Sequence, residues 1–151
     1  MIRDGNARRK RPESVLVLIV AKSGDVLLME RREPAGFWQS VTGSLQEGET
    51  LRAAARREVA EETGLTAGPE LEDLEMGARF RIAPAWRHRF APGVRENREH
   101  WFRLRLPAAV PVRLNPREHL RYQWLPAAEA AALTASWSNR AAIERYAAPR
   151  R

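Results

Sequence analysis

Three glutamates near the middle of the chain have the spacing of a metal-binding cluster. Glu58, Glu61 and Glu62 are related by i, i+3 and i+4, and on a helix these positions project over an arc of roughly 100°. Like charges at these spacings weaken an isolated helix, and a divalent cation would compensate for that repulsion. The alternative is a solvated, charge-rich helix face whose carboxylates pair with Arg56 and Arg57.

The composition limits the ligands that such a site can use. The chain has 151 residues, no Cys and only 3 His, which excludes disulfides, thiolate metal sites and cysteine nucleophiles. Carboxylate oxygens are therefore the expected ligands, and they suit hard cations such as Mg²⁺, with Mn²⁺ as a possible substitute. A hydrophobic content of 44% and a charged content of 30% are typical of one folded domain.

Arginine gives the chain its strongly basic character. The formal net charge is +7, and Lys10 and Lys22 are the only lysines. A basic surface attracts polyanions, which could be nucleic acid or a small phosphorylated substrate. Because an arginine bias can also reflect genome composition, only arginines that cluster beside a site count toward function.

The N-terminal region superficially resembles a signal peptide, since residues 8–11 are basic and Val15 to Ala21 is apolar. The apolar run is short, ends at Lys22 and lacks a convincing small-residue cleavage site. No run approaches the roughly 20 residues that span a bilayer. We expect residues 1–10 to be a flexible basic tail, residues 11–151 to form a single domain, and the protein to be cytoplasmic without membrane contact.

A predicted helix over residues 50–63 carries the three glutamates. Thr50 is a suitable N-cap, and Gly64 is a suitable stop. The helix also has an apolar stripe at i, i+4 and i+8, formed by Leu51, Ala55 and Val59. This stripe would pack the helix on a sheet and leave the carboxylates at the edge of a cleft.

Strands and further helices are predicted on both sides of this helix, which makes the chain a mixed α/β protein. The predicted strands are Val15–Ala21 and Val26–Glu30, which form a hairpin, then Phe37–Thr42, Gly77–Ile82, His100–Leu106 and Tyr122–Leu125. The other predicted segments are a long basic loop, Pro84–Asn97, and two alanine-rich helices, Ala127–Leu133 and Asn139–Ala147.

The segment from Gly43 to Leu65 resembles the Nudix box of the Nudix hydrolases at every defined position. The matching residues are Gly43, Glu49, Arg57, Glu58, Val59, Glu61, Glu62, Gly64 and Leu65. The resemblance implies an α/β/α sandwich with a mixed β-sheet and metal-dependent hydrolysis of a substituted diphosphate. It implies that Glu58 and Glu62 bind the metal and that Glu61 is a further ligand or orients water.

Other residues of the box have supporting roles in the family pattern. Arg57 would hold the carboxylates in place, and Glu49 would brace the loop that precedes the helix. Gly43 would let the backbone of that loop approach the site.

Further fragments resemble one branch of that family, the enzymes that act on 7,8-dihydroneopterin triphosphate. They are Lys10–Pro12, Arg31–Arg32, Trp38–Ser44, Arg87–Gly93, Glu118–Leu120 and Ser136–Arg140. This resemblance implies a small-molecule triphosphate partner, cleavage to the monophosphate and pyrophosphate, and Glu118 as a metal ligand or general base. The substrate contacts that it implies are Lys10, Arg31, Thr42, Phe80, Arg81, Ile82, Ala83 and Ser136.

Each of these assignments has a structural alternative. Arg31 is equally explained as a strand end with exposed charge, Glu118 as an ordinary loop carboxylate, and the segment around Ser136 as the packed start of the last helix. The residues alone leave these alternatives open.

Two rival functions also stay open. A general (deoxy)nucleoside triphosphate pyrophosphohydrolase would use the same chemistry, because a purine and a pterin are similar flat heterocycles. A non-catalytic nucleotide- or nucleic-acid-binding module would use the basic surface, with Trp86, Trp101 and Phe102 as stacking faces. We assign these aromatic residues to strands, where core packing is the usual role, and therefore expect no nucleic-acid partner.

Overall fold

The apolar runs in the first third of the chain form the centre of a β-sheet in the computed structural model, which describes residues 9–148. Strand β1 (Glu13–Ala21) is buried from Ser14 onward, and strand β2 (Asp25–Arg31) is buried at every position but its ends. Such continuous burial requires that both faces of the sheet be covered. The predicted hairpin is confirmed by the antiparallel pairing of Val20 with Val26.

The sheet is mixed, as predicted. Its remaining strands are β3 (Trp38–Gln39), β4 (Val41–Ser44), β5 (Leu71–Arg81), β6 (Glu96–Leu106) and β7 (His119–Pro126). The strand order is β3-β2-β1-β6-β5, with β4 paired to β1 and β7 paired to β2. Strands β1 and β6 are parallel, and the other pairs are antiparallel.

Strand β1 divides one of its edges between two partners. Its first half pairs with β4, from Ser14 to Val17, and its second half pairs with β2 at Val20. Because two strands share this edge, β2 and β4 separate from each other along it. The separation opens the sheet at the point where β4 leads toward the glutamate-bearing helix.

Helices cover the two faces of the sheet, which confirms the α/β/α sandwich. Alternate residues of β1, such as Val15 and Val17, pack with helix α1 (Leu51–Thr63). The intervening residues, such as Leu16 and Leu18, pack with helices α2 (Ala127–Leu133) and α3 (Trp137–Tyr146). The period of two along β1 therefore sorts its side chains into two separate hydrophobic cores.

Helix α1 begins and ends where the sequence predicts. The hydroxyl of Thr50 accepts a hydrogen bond from the N–H of Ala53 at 3.1 Å. Gly64 follows the last turn with φ of 75°, a left-handed conformation that glycine adopts without steric cost. The buried positions Ala55 and Val59, with the partly buried Leu51, face the sheet, so the predicted apolar stripe is confirmed.

Several strand boundaries differ from the sequence predictions. Strand β5 begins at Leu71 rather than at the predicted Gly77. The first part of the strand was missed because the pairing is irregular between Asp73 and Gly77, where Glu75 has a φ of 54°, and this interrupts the alternating pattern. Strands β6 and β7 also begin earlier than predicted, at Glu96 and His119. Their first residues are polar or charged, so hydrophobicity alone did not reveal them.

The assignment of Trp86 to a strand was wrong. Trp86 lies in a 3₁₀ helix, Pro84–Arg89, within the predicted basic loop, and its side chain is partly exposed. Trp101 and Phe102 lie in β6 and are buried.

Within residues 9–148, no helix is long and apolar enough to cross a membrane. The predicted tail falls outside the described residues except for its last two positions, where the N–H of Lys10 donates to the carbonyl of Arg89 at 2.8 Å.

Asn139 joins helix α3 to Ser40, the single residue between strands β3 and β4. Its Oδ1 accepts a hydrogen bond from the N–H of Ser40 at 2.8 Å, and its Nδ2 donates to the hydroxyl of Ser40 at 3.0 Å. Both side chains are almost fully buried. This pair fixes the helix against the strand that leads into the candidate site.

We expect the Asn139→Ala variant to lose about 1–3 kcal/mol of unfolding free energy, because the buried N–H of Ser40 would be left without an acceptor. Urea denaturation followed by circular dichroism measures this loss. Ser40→Ala is the matched control, since it removes the hydroxyl but keeps the main-chain hydrogen bond, and its loss should be smaller. Equal losses in the two variants would contradict this account.

Candidate active site

Arg57 connects helix α1 to the loop that precedes it. Its guanidinium donates to both carboxylate oxygens of Glu49 at 2.7 and 2.9 Å, to Glu58 at 2.8 Å and to the carbonyl of Ser44 at 3.1 Å. A weaker contact at 3.3 Å reaches Glu61. Planar arginine suits such a bridge because its donors have a fixed fork geometry. The predicted roles of Arg57 and Glu49 are thus reflected in direct contacts.

Glu58 and Glu62 form a buried carboxylate pair at the same end of the helix. Glu58 is 8% exposed and Glu62 is 2% exposed, and the two carboxyl groups lie side by side. Burial raises the pKa of Glu62 well above its usual range, and the charges of Glu58 and Glu118 raise it further. Burial also raises the pKa of Glu58, but Arg57 opposes this shift. Burial therefore favours the protonated form of Glu62 most strongly, and Arg57 favours the charged form of Glu58.

Gly43 lets strand β4 pass directly against Glu58. A Cβ atom at position 43 would overlap the carboxylate of Glu58, so no larger residue fits without moving that side chain. The neighbouring Thr42 forms a backbone hydrogen bond to Glu62 and donates its hydroxyl to the carbonyl of Val15 at 2.9 Å. The strand and the helix thus hold the carboxylate pair from two sides.

This pair has the chemistry of a partial site for a hard cation. The Oε1 atom of Glu62 is buried and has no hydrogen-bond partner among the described residues, which is costly unless a ligand satisfies it. Residues 9–148 contain no group of three or more acidic or histidine side chains close enough to enclose a metal. Mg²⁺ typically binds through one or two carboxylates and completes its shell with water and phosphate oxygens, so Glu58 and Glu62 fit that pattern.

Glu118 reaches the same cleft from the loop before β7. Arg32 anchors this loop, because its N–H donates to the carbonyl of Glu118 at 2.8 Å and its Nε donates to the carbonyl of Pro116 at 2.8 Å. The side chain of Glu118 is exposed and accepts a hydrogen bond from Asn115 at 3.3 Å. Its negative charge contributes to the raised pKa of Glu62. Glu118 therefore lies near the carboxylate pair and is free to turn toward a ligand.

A cluster of cations forms another part of the cleft. Burial lowers the pKa of Lys10, and the charges of Arg89 and Arg31 lower it further. Burial and the charge of Arg89 likewise lower the pKa of Arg31, whose guanidinium also lies 5.7 Å from the ring centre of Trp86. Three cations that destabilise one another in this way make a strong site for a polyanion.

The cleft that contains these groups has a volume of about 1110 Å³. It is lined by most of the residues predicted from the sequence: Lys10, Arg31, Thr42, Glu58, Glu62, Phe80, Arg81, Ile82, Ala83 and Glu118. Two predicted residues are not among the lining residues. Ser136 is the N-cap of α3, where its hydroxyl accepts from the N–H of Asn139 at 3.2 Å. Glu61 is about half exposed and contacts Arg57.

Several buried polar residues of the cleft were missed by sequence reasoning. Ser14, Gln39, Asn97 and Glu99 are each less than a tenth exposed and line the cleft. His119 also lines it, and burial together with the charge of Arg31 lowers its pKa to about 4. The sequence signal that could have found these residues is a polar or charged side chain at a core-facing position of a strand.

Comparison with known proteins identifies a family and close relatives. The NUDIX domain model matches residues 10–146. Dihydroneopterin triphosphate diphosphatase from Escherichia coli strain K12 is 50% identical over 141 residues, covering 91% of this chain and 93% of that protein. The protein of the same name from Haemophilus influenzae is 36% identical over 142 residues, covering 91% and 88%. The solved structure of the E. coli dihydroneopterin triphosphate pyrophosphohydrolase superposes with a TM-score of 0.86 and 49% identity, covering 92% of this chain and 97% of that one.

We expect Glu62→Gln to stabilise the metal-free protein at neutral pH and to abolish stabilisation by added Mg²⁺. The folded-state pKa of Glu62 is raised, so its favourable contribution is complete below the unfolded pKa of about 4.5 and is lost as pH rises toward the folded value. Without metal, the Tm of the variant should exceed that of wild type by several degrees at pH 8. The difference should vanish near pH 4.

Thermal unfolding with EDTA and with Mg²⁺ at both pH values measures these effects. Glu61→Gln on the same helix is the matched control, because the exposed Glu61 lacks the burial that raises the pKa of Glu62. A variant Tm below that of wild type at pH 8 in EDTA would contradict the account.

Proposed function

Because the chain belongs to the Nudix family of hydrolases, we propose that it hydrolyses 7,8-dihydroneopterin triphosphate to dihydroneopterin monophosphate and pyrophosphate. One observation carries the proposal: the buried pair Glu58 and Glu62 shares a single cleft with the cations Lys10, Arg31 and Arg89. Acidic metal ligands beside a cationic cluster are what a metal-bound polyphosphate requires. Relatives named for this substrate that cover nine-tenths of the chain support the choice of pterin.

In this proposal Glu58 and Glu62 hold Mg²⁺, with Mn²⁺ as a substitute, and the unpartnered Oε1 of Glu62 supports that role. The bound metal would offset charge on the phosphate oxygens and lower the pKa of the attacking water. Arg57 keeps the charged member of the pair, Glu58, at a fixed position through a hydrogen bond of 2.8 Å. Glu118 completes the ligand set or accepts the proton of water.

The position of Glu118 supports this assignment, because it lines the cleft and its charge acts on Glu62. Glu61 is half exposed and lies outside the lining residues. We assign Glu61 a contribution from the edge of the site, either as a further ligand or through ordered water.

The phosphate chain occupies the cationic part of the cleft in our proposal. Lys10, Arg31 and Arg89 repel one another across the cleft, as the lowered pKa values of Lys10 and Arg31 indicate. A triphosphate removes that repulsion, and arginine can offer two parallel hydrogen bonds to a phosphate. The hydroxyl of Thr42 and the N-cap hydroxyl of Ser136 remain predicted contacts, with Ser136 dependent on a rearrangement of its cap.

Phe80, Ile82 and Ala83, at and just after the end of β5, supply an apolar wall for the heterocycle in this proposal. Phe80 and Ile82 line the cleft, and Ile82 is buried. Arg81 and Ala83 also line it. The ring would lie against this wall while its triphosphate extends toward Lys10 and the carboxylate pair.

The first test compares substrates. With Mg²⁺, we expect kcat/KM for 7,8-dihydroneopterin triphosphate to exceed the values for dATP, dGTP and oxidised dGTP by at least about tenfold, or 1.4 kcal/mol of transition-state binding. Pyrophosphate should be the released phosphate species. A preference for a nucleotide would reject the pterin substrate and leave a nucleotide-pool pyrophosphohydrolase. Turnover of none of them would point to another diphosphate or to a binding module.

A second test separates the glutamates of helix α1. We expect Glu58→Gln to lower kcat/KM by at least about a hundredfold, because several kcal/mol of charge stabilisation by the metal is lost. Glu61→Gln should lower it much less, because Glu61 is half exposed and outside the cleft lining. Steady-state kinetics across a Mg²⁺ titration measures both. The assignment would fail if Glu61→Gln caused the larger loss.

A further inference from the structure

The wall of the cleft formed by the sheet carries buried polar groups that no step of the proposed hydrolysis uses. Ser14, Gln39, Asn97 and Glu99 come from strands β1, β3 and β6, and each is 6% or 7% exposed. All four line the cleft. Burying a polar side chain is unfavourable unless it is hydrogen-bonded. Ser14, Asn97 and Glu99 hydrogen-bond within the protein, so a ligand in this cleft would meet a polar wall whose oxygens can accept further donors.

Glu99 is the charged member of this set. One of its oxygens accepts a hydrogen bond from the indole N–H of Trp101 at 3.0 Å, and the hydroxyl of Ser138 is a second donor. A carboxylate has about four acceptor positions, so two internal donors leave capacity for two more. Burial raises the pKa of Glu99, and further donors would offset the cost of keeping the group ionised.

The neighbours of Glu99 provide the rest of a site for a flat ring. Asn97, two residues earlier on the same face of β6, donates its amide to the hydroxyl of Ser14 at 2.8 Å, which leaves its carbonyl oxygen as an acceptor. Phe80 lies directly across from Asn97 in the β5–β6 register. Trp137 meets Phe80 edge-on, with ring centres 6.4 Å apart. An aromatic surface thus lies beside a row of acceptors.

We propose that Glu99 determines heterocycle specificity by accepting two hydrogen bonds from a 2-amino-4-oxopyrimidine edge, with the carbonyl of Asn97 as an adjacent acceptor. The inference rests on the proposed function, because this edge belongs to the pterin ring. Its ring N–H and exocyclic amino group are adjacent donors, which match the two oxygens of a carboxylate. Guanine has the same edge. Adenine has a ring nitrogen without hydrogen beside its amino group, so it cannot make both bonds to an ionised carboxylate.

The test is the nearly isosteric variant Glu99→Gln, measured with 7,8-dihydroneopterin triphosphate, dGTP and dATP. Replacing one acceptor oxygen by an amide donor should lower kcat/KM about ten- to a hundredfold for the pterin and for dGTP. The loss should appear mainly in KM, since the reacting phosphates are not touched. The value for dATP should not fall, because the amide of glutamine can donate to the ring nitrogen of adenine and accept from its amino group.

Binding of 7,8-dihydroneopterin without phosphates, measured by calorimetry, provides a readout that is independent of catalysis and should weaken by a similar factor. The control is Glu144→Gln, an exposed glutamate on α3 outside the cleft lining. Thermal unfolding of each variant checks the fold. A purely structural role, in which Glu99 only supports Trp101 and Ser138, predicts equal losses for all three triphosphates.

Equal losses for the three triphosphates, or no change in any of them, would overturn the inference. Failure of the proposed function is visible separately, in a wild-type enzyme that does not prefer the pterin. In that case the response of dGTP relative to dATP decides the role of Glu99: a selective loss for dGTP supports it, and parallel losses reject it.

Discussion

A single guanidinium holds the acidic end of helix α1 in a usable arrangement. Arg57 contacts Glu49 in the preceding loop, Glu58 and Glu61 on its own helix, and the main chain at Ser44. Without a cation at this position, the carboxylates of the loop and the helix would repel one another at close range. Arg57 also opposes the rise in the pKa of Glu58 that burial causes, whereas the pKa of the more deeply buried Glu62 stays well above its usual range. The loop and the helix are thus joined through this one side chain.

The charged groups of the cleft are brought together because strand β1 pairs with two different strands along one edge. Where β2 and β4 separate, the end of β2 brings Arg31 and the anchored loop of Glu118 into the opening. Strand β4 brings Gly43 and Thr42 against the glutamates. Acidic groups, cations and apolar side chains thus line a single cleft. In the proposed function these three kinds of group serve a metal, a phosphate chain and a heterocycle.

The parts of the site that the sequence predicts are those with local causes. Helical spacing places Glu58 and Glu62 together, and Thr50 and Gly64 set the limits of the helix by capping, so neighbouring residues are enough to infer them. Residues 71–76 of β5 were missed because Asp73 and Gly77 bound an irregular segment that does not alternate.

Glu99 and Asn97 were missed for a different reason. Whether a polar residue on β6 faces a cleft or solvent depends on the pairing of β6 with the distant β1 and on the position of α3. Residue types alone do not carry that information. Ser136 was predicted as a substrate contact because it begins a family fragment, but its hydroxyl caps a helix.

The parallel pairing of β1 with β6 also has a consequence for how the protein is made. Glu13 pairs with Arg98 and Ala21 pairs with Leu106, so the central contact of the sheet joins segments that are far apart in the chain. Such non-local contacts require closure of a large loop before any of their energy is gained, and they slow folding. During synthesis, helix α1 and the β1–β2 hairpin leave the ribosome long before the strand that completes the cleft. Glu118, whose charge acts on Glu62, follows that strand in the chain, so the cleft gains its third acidic group only after most of the chain has been translated.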